Sequence, residues 1–348
     1  MKRMFLMATL ASVALASCTT DESTFADAKK EIKFQSAIYT AQTRAEHDAS
    51  LTPTENFRVL GWLEGKDATY MNEVVTPAGA IVSNATYYWP TDGSGLDFAA
   101  ISPAASCDTY ATTTRTSGET SIDFEFNAGN PNPNNINLMI ADYVQGQKAE
   151  TNSQVSLLFR HVLANLHINA NQSMKEDAEK GISWEVTINS MSITNFKNQG
   201  KFSAPWNFDA TAQDYYWSNA DGNSTWSLIT SAQSIKDADY ASAGNYYVMP
   251  QEFDTEAPIT LNIDYDITTT YDVNAQSTTV NYSKAIDLSK IKYNTATGTG
   301  VTLAGFAMNK DITITVNINP SAELTPITFA VYEEEWGAIS GNPELKVD

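Results

Sequence analysis

The stretch "DITITVNINP", residues 311–320, decides the fold of this chain. Ile312, Ile314, Val316 and Ile318 alternate with Thr313, Thr315 and Asn317, so one face is apolar and the other polar. A repeat of two is that of a pleated strand; a helix would scatter the four apolar residues around its axis. The same alternation recurs in "ISWEVTINSMSITNF" (182–196) and "APITLNIDYDITTTYDV" (257–273). Shorter runs of the same kind precede them: "NFRVLGWLEG" (56–65), "ATYYWP" (85–90), "LDFAAISP" (96–103) and "SIDFEFNAG" (121–129). Turn-forming residues separate the runs, and such spacing predicts antiparallel sandwiches of roughly 100 residues or more. The chain's 348 residues hold two of them.

The expected fold class is therefore all-β, with two β-sandwich domains in tandem over 45–153 and 154–348. The segment "SQVSLLFRHVLANLHINAN" (153–171) is apolar almost throughout, so period alone does not separate helix from strand there. It reads as a buried segment at the junction of the domains. Only "SMKEDAEKG" (173–181) suggests a helix, of two turns.

Charge narrows the partners. With 41 acidic and 21 basic residues the formal net charge is -20, which repels phosphate backbones and excludes nucleic acid as a partner. Three His and two Cys leave little material for metal or thiol chemistry. The stretch "DGSGL" (92–96) lacks the spacing of a phosphate loop, and no G-x-S-x-G, C-x-x-C or H-E-x-x-H occurs. His161 and His167, six apart, would share a face of one strand; their apolar surroundings suit structural histidines better than a zinc site. "DYDITTTYD" (264–272) offers three carboxylates without the glycine turn of a calcium loop. No catalytic residue, metal or cofactor is expected, and the chain does not read as an enzyme. A surface hydrolase using some carboxylate pair is the alternative left open. Tyr87-Tyr88-Trp89 and Tyr215-Tyr216-Trp217 either pack between sheets or stack on sugars.

The beginning of the chain is an address. Lys2 and Arg3 precede an apolar run from Met4 to Ala16, too short to span a bilayer, so residues 1–17 read as a signal peptide. Leu15-Ala16-Ser17-Cys18 resembles the lipobox of bacterial lipoproteins, which implies cleavage between Ser17 and Cys18 and lipid on the Cys18 sulfur. Cys107 is then the only other cysteine, and no intramolecular bridge is possible. A polar tether follows, then "EIKFQSAIYT" (31–40), where Ile32, Phe34 and Ile38 fall on one face of a strand. Residues 41–56 are polar and turn-rich, with Arg44 in their middle.

Taken together these stretches resemble the fimbrillin family, the subunits of type V pili of Bacteroides-type bacteria. The resemblance is carried by the lipobox, by "QTRA" (42–45), by "YYWPTDGSGLDFAAISP" (87–103) with "FRHVLANLHI" (159–168), and by the closing "PITFAVYEEEW" (326–336). It implies transthyretin-like, Greek-key sandwiches, export to the outer membrane and cell surface, and trimming by an Arg-specific protease. On this chain the cut falls between Arg44 and Ala45; Arg58 lies inside a strand signal. Residues 18–44 are then a lipidated propeptide that takes the strand of Ile32, Phe34 and Ile38 with it. The vacancy would be filled by the closing strand of a neighbour through Ile327, Phe329 and Val331, with Trp336 at its end, because "EIKF" and "PITF" share Ile-x-Phe. The implied function is a pilus structural subunit that supports adhesion, with other copies of itself or related subunits as partners. Two readings remain beside it: a lipid-retaining anchor, or a tip subunit that binds a host glycan or protein. An ordinary strand completing its own sandwich is the alternative for the tail.

Overall fold

The decisive alternation lies in a strand, Lys310–Ile318, whose Ile312, Ile314, Val316 and Ile318 are all fully buried. The protein is described here from a computed structural model covering residues 29–38, 53–105, 111–116, 119–127, 136–149, 154–205, 217–235, 241–295, 298–321 and 327–335. Strands are numbered in chain order. The first sheet contains β1 (Phe34–Ile38), β2 (Phe57–Leu63), β3 (Thr69–Val75), β4 (Leu96–Ser102), β7 (Met139–Ala141), β8 (Val144–Gln147) and β9 (Val155–His161), in the order β1-β9-β7-β4-β2-β3 with β8 on β4. It encloses a core of Ile32, Phe34, Phe57, Val59, Met71, Trp89, Phe98, Leu157, Phe159 and their neighbours.

The second domain is two sheets face to face. The smaller has β10 (Ala164–Gln172), β15 (Ala241–Val248), β22 (Lys310–Ile318) and β23 (Ile327–Glu335), ordered β15-β10-β22-β23. The larger is built on β12 (Ile182–Pro205), with β17 (Thr260–Tyr271) and β18 (Gln276–Asp287) along one edge. Also on β12 are β11 (Glu176–Asp177), β13 (Trp217–Ile229) and β14 (Gln233–Ser234). Two short ribbons complete the set: β16 (Gln251–Glu252) with β21 (Gly305–Phe306), and β19 (Lys292–Thr295) with β20 (Gly298–Thr302). Leu166, Ile168, Ile314 and Val316 from the smaller sheet meet Val186, Ile188, Ile263 and Tyr265 from the larger in one core. This is the all-β, two-sandwich class that the spacing predicts.

Three expectations are corrected. The division after residue 153 falls about eight residues too early, since β9 pairs with β1 and β7 in the first sheet. Val155, Leu157 and Phe159 face the first core; the alternation resets at Val162 and Leu163, both fully buried, and Leu166 and Ile168 then face the second. His161 and His167 consequently stand on different strands in different sheets. Nor is the seam clean, because the hairpin of β5 (Ala111–Thr116) and β6 (Glu119–Asn127) lies against the far end of β12, where Phe124 stands opposite Phe202.

The stretch 173–181 is a tight hairpin and not a helix. Gly181, at φ +59°, reverses the chain so that Glu176 and Asp177 pair with Ser183 and Ile182, and Lys180 bonds Asp177 at 2.8 Å across the turn. Buried Gln172 pins it, donating to the Met174 and Trp184 carbonyls at 2.8 and 2.9 Å and accepting from the Val186 amide at 3.0 Å. Those tertiary bonds outweigh a weak local preference for helix.

Candidate functional site

The segment Lys30–Ile38, N-terminal to the rest of the first sheet, occupies a slot with two walls of backbone. Along one wall β1 runs parallel to β9, from Phe34 opposite Val155 to Ile38 opposite Phe159, and the Val155 amide donates to the Lys33 carbonyl at 2.8 Å. Along the other, the Ile32 amide donates to the Tyr87 carbonyl and the Trp89 amide to the Lys30 carbonyl, each at 2.9 Å, around a Glu31–Tyr88 bridge. Lys30–Ile32 are thus bonded on one side and Lys33–Ile38 on the other, so the segment is held by both walls in turn.

The turn at residues 76–80 closes over the same segment. Gly79 sits at φ +87°, and a Cβ there would lie 2.1 Å from the Phe34 carbonyl oxygen, so only glycine lets the turn approach. Ser36 Oγ donates to the Pro77 carbonyl at 3.0 Å. The turn itself is tied by the Gly79 amide to the Thr76 carbonyl at 2.8 Å and by the Ala80 amide to Thr76 Oγ1 at 3.1 Å. Sequence reasoning missed Gly79, although the Pro-Ala-Gly of "TPAGA" (76–80) is a turn signal.

Side chains fill the slot from the strand's apolar face. Ile32 and Phe34 are each 2% exposed, while Ile38 is half-buried at the margin of the same core. The Phe34 ring meets Phe98 edge-on at 5.7 Å, and Phe98 meets Trp89 edge-on at 6.1 Å. Burial of Ile32 and Phe34 contributes about 1.5–3 kcal/mol each. The opposite face is polar, with Glu31, Lys33 and Gln35 exposed and Gln35 donating to Ser156 Oγ; at the start of the segment Lys30 donates to the Ala149 carbonyl. Lys29 lies 5.8 Å from the centre of the Tyr88 ring.

The aromatic run that forms one wall is itself held in place. Tyr87 donates to Glu73 Oε1 at 2.7 Å, Ser83 donates to Glu73 Oε2 at 2.8 Å, and Tyr70 donates to the Tyr88 carbonyl at 2.5 Å. The bond to Glu73 raises the Tyr87 phenol above its ordinary pKa, with burial adding to it. Trp89 is a core residue and Tyr88 an exposed one. Trp217 is also buried, its indole donating to the Val162 carbonyl at 2.9 Å; Tyr215 and Tyr216 lie outside the described residues.

The tail lies in its own second domain. β23 runs antiparallel to β22, from Ile327 opposite Ile318 to Glu335 opposite Lys310. Ile327 is half-buried, Val331 is buried, and Phe329 stands opposite Val316 in register. In the single chain the tail thus completes its own sheet. Ser17, Cys18, Arg44, Ala45 and Trp336 lie outside the described residues. Arg58 lies in β2 with paired strands on both sides, and its Nη1 donates to Asn72 Oδ1 at 3.0 Å.

The residues weighed for metal or acid–base chemistry are dispersed. His161 Nδ1 donates to Asn137 Oδ1 at 2.8 Å, and burial pushes its pKa down to about 3. His167 Nε2 lies 3.1 Å from Asp311 Oδ1. Asp264 accepts from Ser190 at 2.8 Å and Asp266 from Asn281 at 2.8 Å. Among the described residues no three His, Cys, Asp or Glu side chains gather in a metal-binding arrangement.

A tandem β-sandwich protein, its first sheet completed by a strand from the N-terminal side, is the class that this architecture defines. A fimbrial protein of Bacteroides vulgatus shares the fold at a TM-score of 0.53 and 18% identity, over 87% of this chain and 99% of that one. A candidate cell adhesion protein of Bacteroides uniformis aligns at 0.47 and 17% identity, over 88% of this chain and 99% of that one. One from Parabacteroides distasonis aligns at 0.47 and 13%, over 90% and 99%. No curated protein matches the chain. The fimbrillin-like family profile matches residues 43–333, and the chain belongs to that family.

Proposed function

We propose that this chain is a structural subunit of a cell-surface pilus. It is exported as a lipoprotein through Cys18, trimmed between Arg44 and Ala45, and polymerised by exchange of strands; its role is structural, not catalytic. The observation that carries the reading is the slot of Lys30–Ile38, a segment on the N-terminal side of Arg44 that buries Ile32 and Phe34 and bonds one wall through Lys30–Ile32 and the other through Lys33–Ile38. Cutting after Arg44 severs that strand from everything downstream. Its loss uncovers the Phe98–Trp89 aromatic pair, the backbone edge of β9, the Tyr87 carbonyl and the Trp89 amide. Exposed apolar surface beside unpaired backbone recruits another strand.

The closing strand of a second copy fits that demand. With Ile327 in the place of Ile32 and Phe329 in the place of Phe34, Val331 takes the position of Ser36, and Thr325 supplies the carbonyl that Lys30 gives to Trp89. Pro326 then falls at the place of Glu31, whose amide is not used on the Tyr87–Trp89 wall. Because donor and acceptor lie at different ends of the chain, copies join head to tail and do not close into a ring.

Arg44→Ala is the test. Cells making that variant should show full-length, lipid-bearing subunit and no filaments by electron microscopy, while the unsubstituted chain yields a mature N-terminus at Ala45. Filaments of normal length from Arg44→Ala overturn the reading.

A further inference from the structure

The β17–β18 hairpin carries a feature that strand exchange does not use. Its twelve residue pairs, Thr260–Asp287 to Tyr271–Gln276, run without a bulge, and the outer side of β18 has no neighbouring strand among the described residues. Every residue from Gln276 to Asn281 is exposed. Three of the six large exposed hydrophobics of the described chain lie on this hairpin: Tyr271, Val273 at 91% and Val280 at 46%. Val280 stands opposite core residue Ile267, and Tyr282 opposite Tyr265, with their rings stacked at 5.2 Å. At this end the apolar face of the sheet therefore runs beyond the layer that covers it.

Long flat edges are ordinarily guarded by a proline, a bulge or an inward-facing charge. Lys284, opposite buried Ile263, is such a charge and guards the latter part of β18. Gln276–Tyr282 contains no guard.

We infer that the open edge of β18, over Gln276–Tyr282, docks a second copy of this chain by antiparallel pairing centred on Thr279. Charge selects the partner. Copies with a formal net charge of -20 repel one another over most of their surface, but these seven residues carry no charged side chain. Pairing about Thr279 places Val280 opposite Thr278, Asn281 opposite Ser277 and Tyr282 opposite Gln276, so no like charges meet. Thr278, Val280 and Tyr282 keep to one face of the joined sheet, and the two Val280 side chains become diagonal neighbours. A two-fold contact of this kind closes on itself and stays separate from head-to-tail joining. A seven-residue edge buries well under the roughly 800 Å² per partner of a stable interface, so isolated molecules pair weakly. Rows of copies pair strongly through many such contacts at once. That last step, side-by-side association of filaments, rests on the pilus reading; the pairing itself does not.

The test uses the full chain carrying Cys18→Ser and Arg44→Ala, under reducing conditions, so that β1 stays in its slot. Sedimentation velocity should show a reversible, concentration-dependent dimer. Thr278→Lys with Val280→Lys should weaken it at least about tenfold, while Val82→Lys, exposed elsewhere, leaves it unchanged. Amide exchange in the unsubstituted edge should slow over 276–282 as concentration rises, which decides the matter even if the double variant folds poorly. A chain monomeric at its highest soluble concentration overturns the inference, as does a dimer undiminished in a folded double variant or slowing confined to other strands. None of these outcomes depends on whether filaments form.

Discussion

The first and last strands of the described chain, of five and nine residues, each lie at the end of a sheet order, yet their surroundings hold them differently. The segment Lys30–Ile38 changes walls along its length, Lys30–Ile32 bonding Tyr87–Trp89 on one side and Lys33–Ile38 bonding β9 on the other, and a glycine turn caps it, with Ile32 and Phe34 sealed in the core. β23 has one paired neighbour, β22, along its length and begins at a half-buried Ile327. A strand bonded along one side peels away from an end, a few bonds at a time; a segment whose two halves are bonded to different walls leaves only if both walls release it. The comparison teaches that the two ends differ in anchorage: the β1 segment is tied to two walls, β23 to one.

The largest expected effect is on the sealed side. Phe34→Ala removes the ring packed on Phe98 and should lower unfolding free energy by about 3–5 kcal/mol, read by denaturant unfolding of the Arg44→Ala chain. Acid comes next. The folded His161 pKa of about 3 lies below its unfolded value of 6.5, so the unfolded chain takes up a proton that the native one refuses. The stability this group contributes is complete above pH 6.5 and is lost as pH falls from there through about 3. Since β9 carries His161, the loss should register in the first sandwich, and His161→Gln should flatten that part of the pH profile. Gly79→Ala forces a methyl group against the Phe34 carbonyl at a left-handed φ and should cost about 1–3 kcal/mol. Faster amide exchange in β1 and at Val155 would report it. The smallest effect is on the tail: Val331→Ala should cost about 1–2 kcal/mol, with faster exchange confined to β23 and β22. If it loosened β1 as well, the two ends would not be independent.

Alternation within a strand was legible in the sequence; pairing between strands was not. "DITITVNINP" and "APITLNIDYDITTTYDV" announced buried faces because each side chain's environment follows from local parity. The buried side of "EIKF" was readable for the same reason. What held that strand was hidden, because the Tyr87–Trp89 wall and the Gly79 turn act through backbone groups that any residue type possesses. The aromatic character of "YYW" suggested packing or sugar stacking, and its backbone role left no compositional trace. The division between domains was misplaced because Val162 and Leu163 are buried on both sides, so hydrophobicity continues straight across the change of sheet. The pairing of β6 with β12 joins residues far apart in the chain, and no local pattern encodes such a register.

That crossing at Val162 and Leu163 has a mechanical consequence. The Val162 carbonyl accepts from the Trp217 indole at 2.9 Å and the Leu163 carbonyl from the Asn309 amide at 3.1 Å, so the splice between β9 and β10 has no slack to pull out. Tension entering along β9 passes lengthwise into β10 and across to β22, its parallel neighbour. Ladders loaded along their strands resist in shear, many bonds yielding together, and the molecule behaves under load as one taut strap instead of two beads on a string.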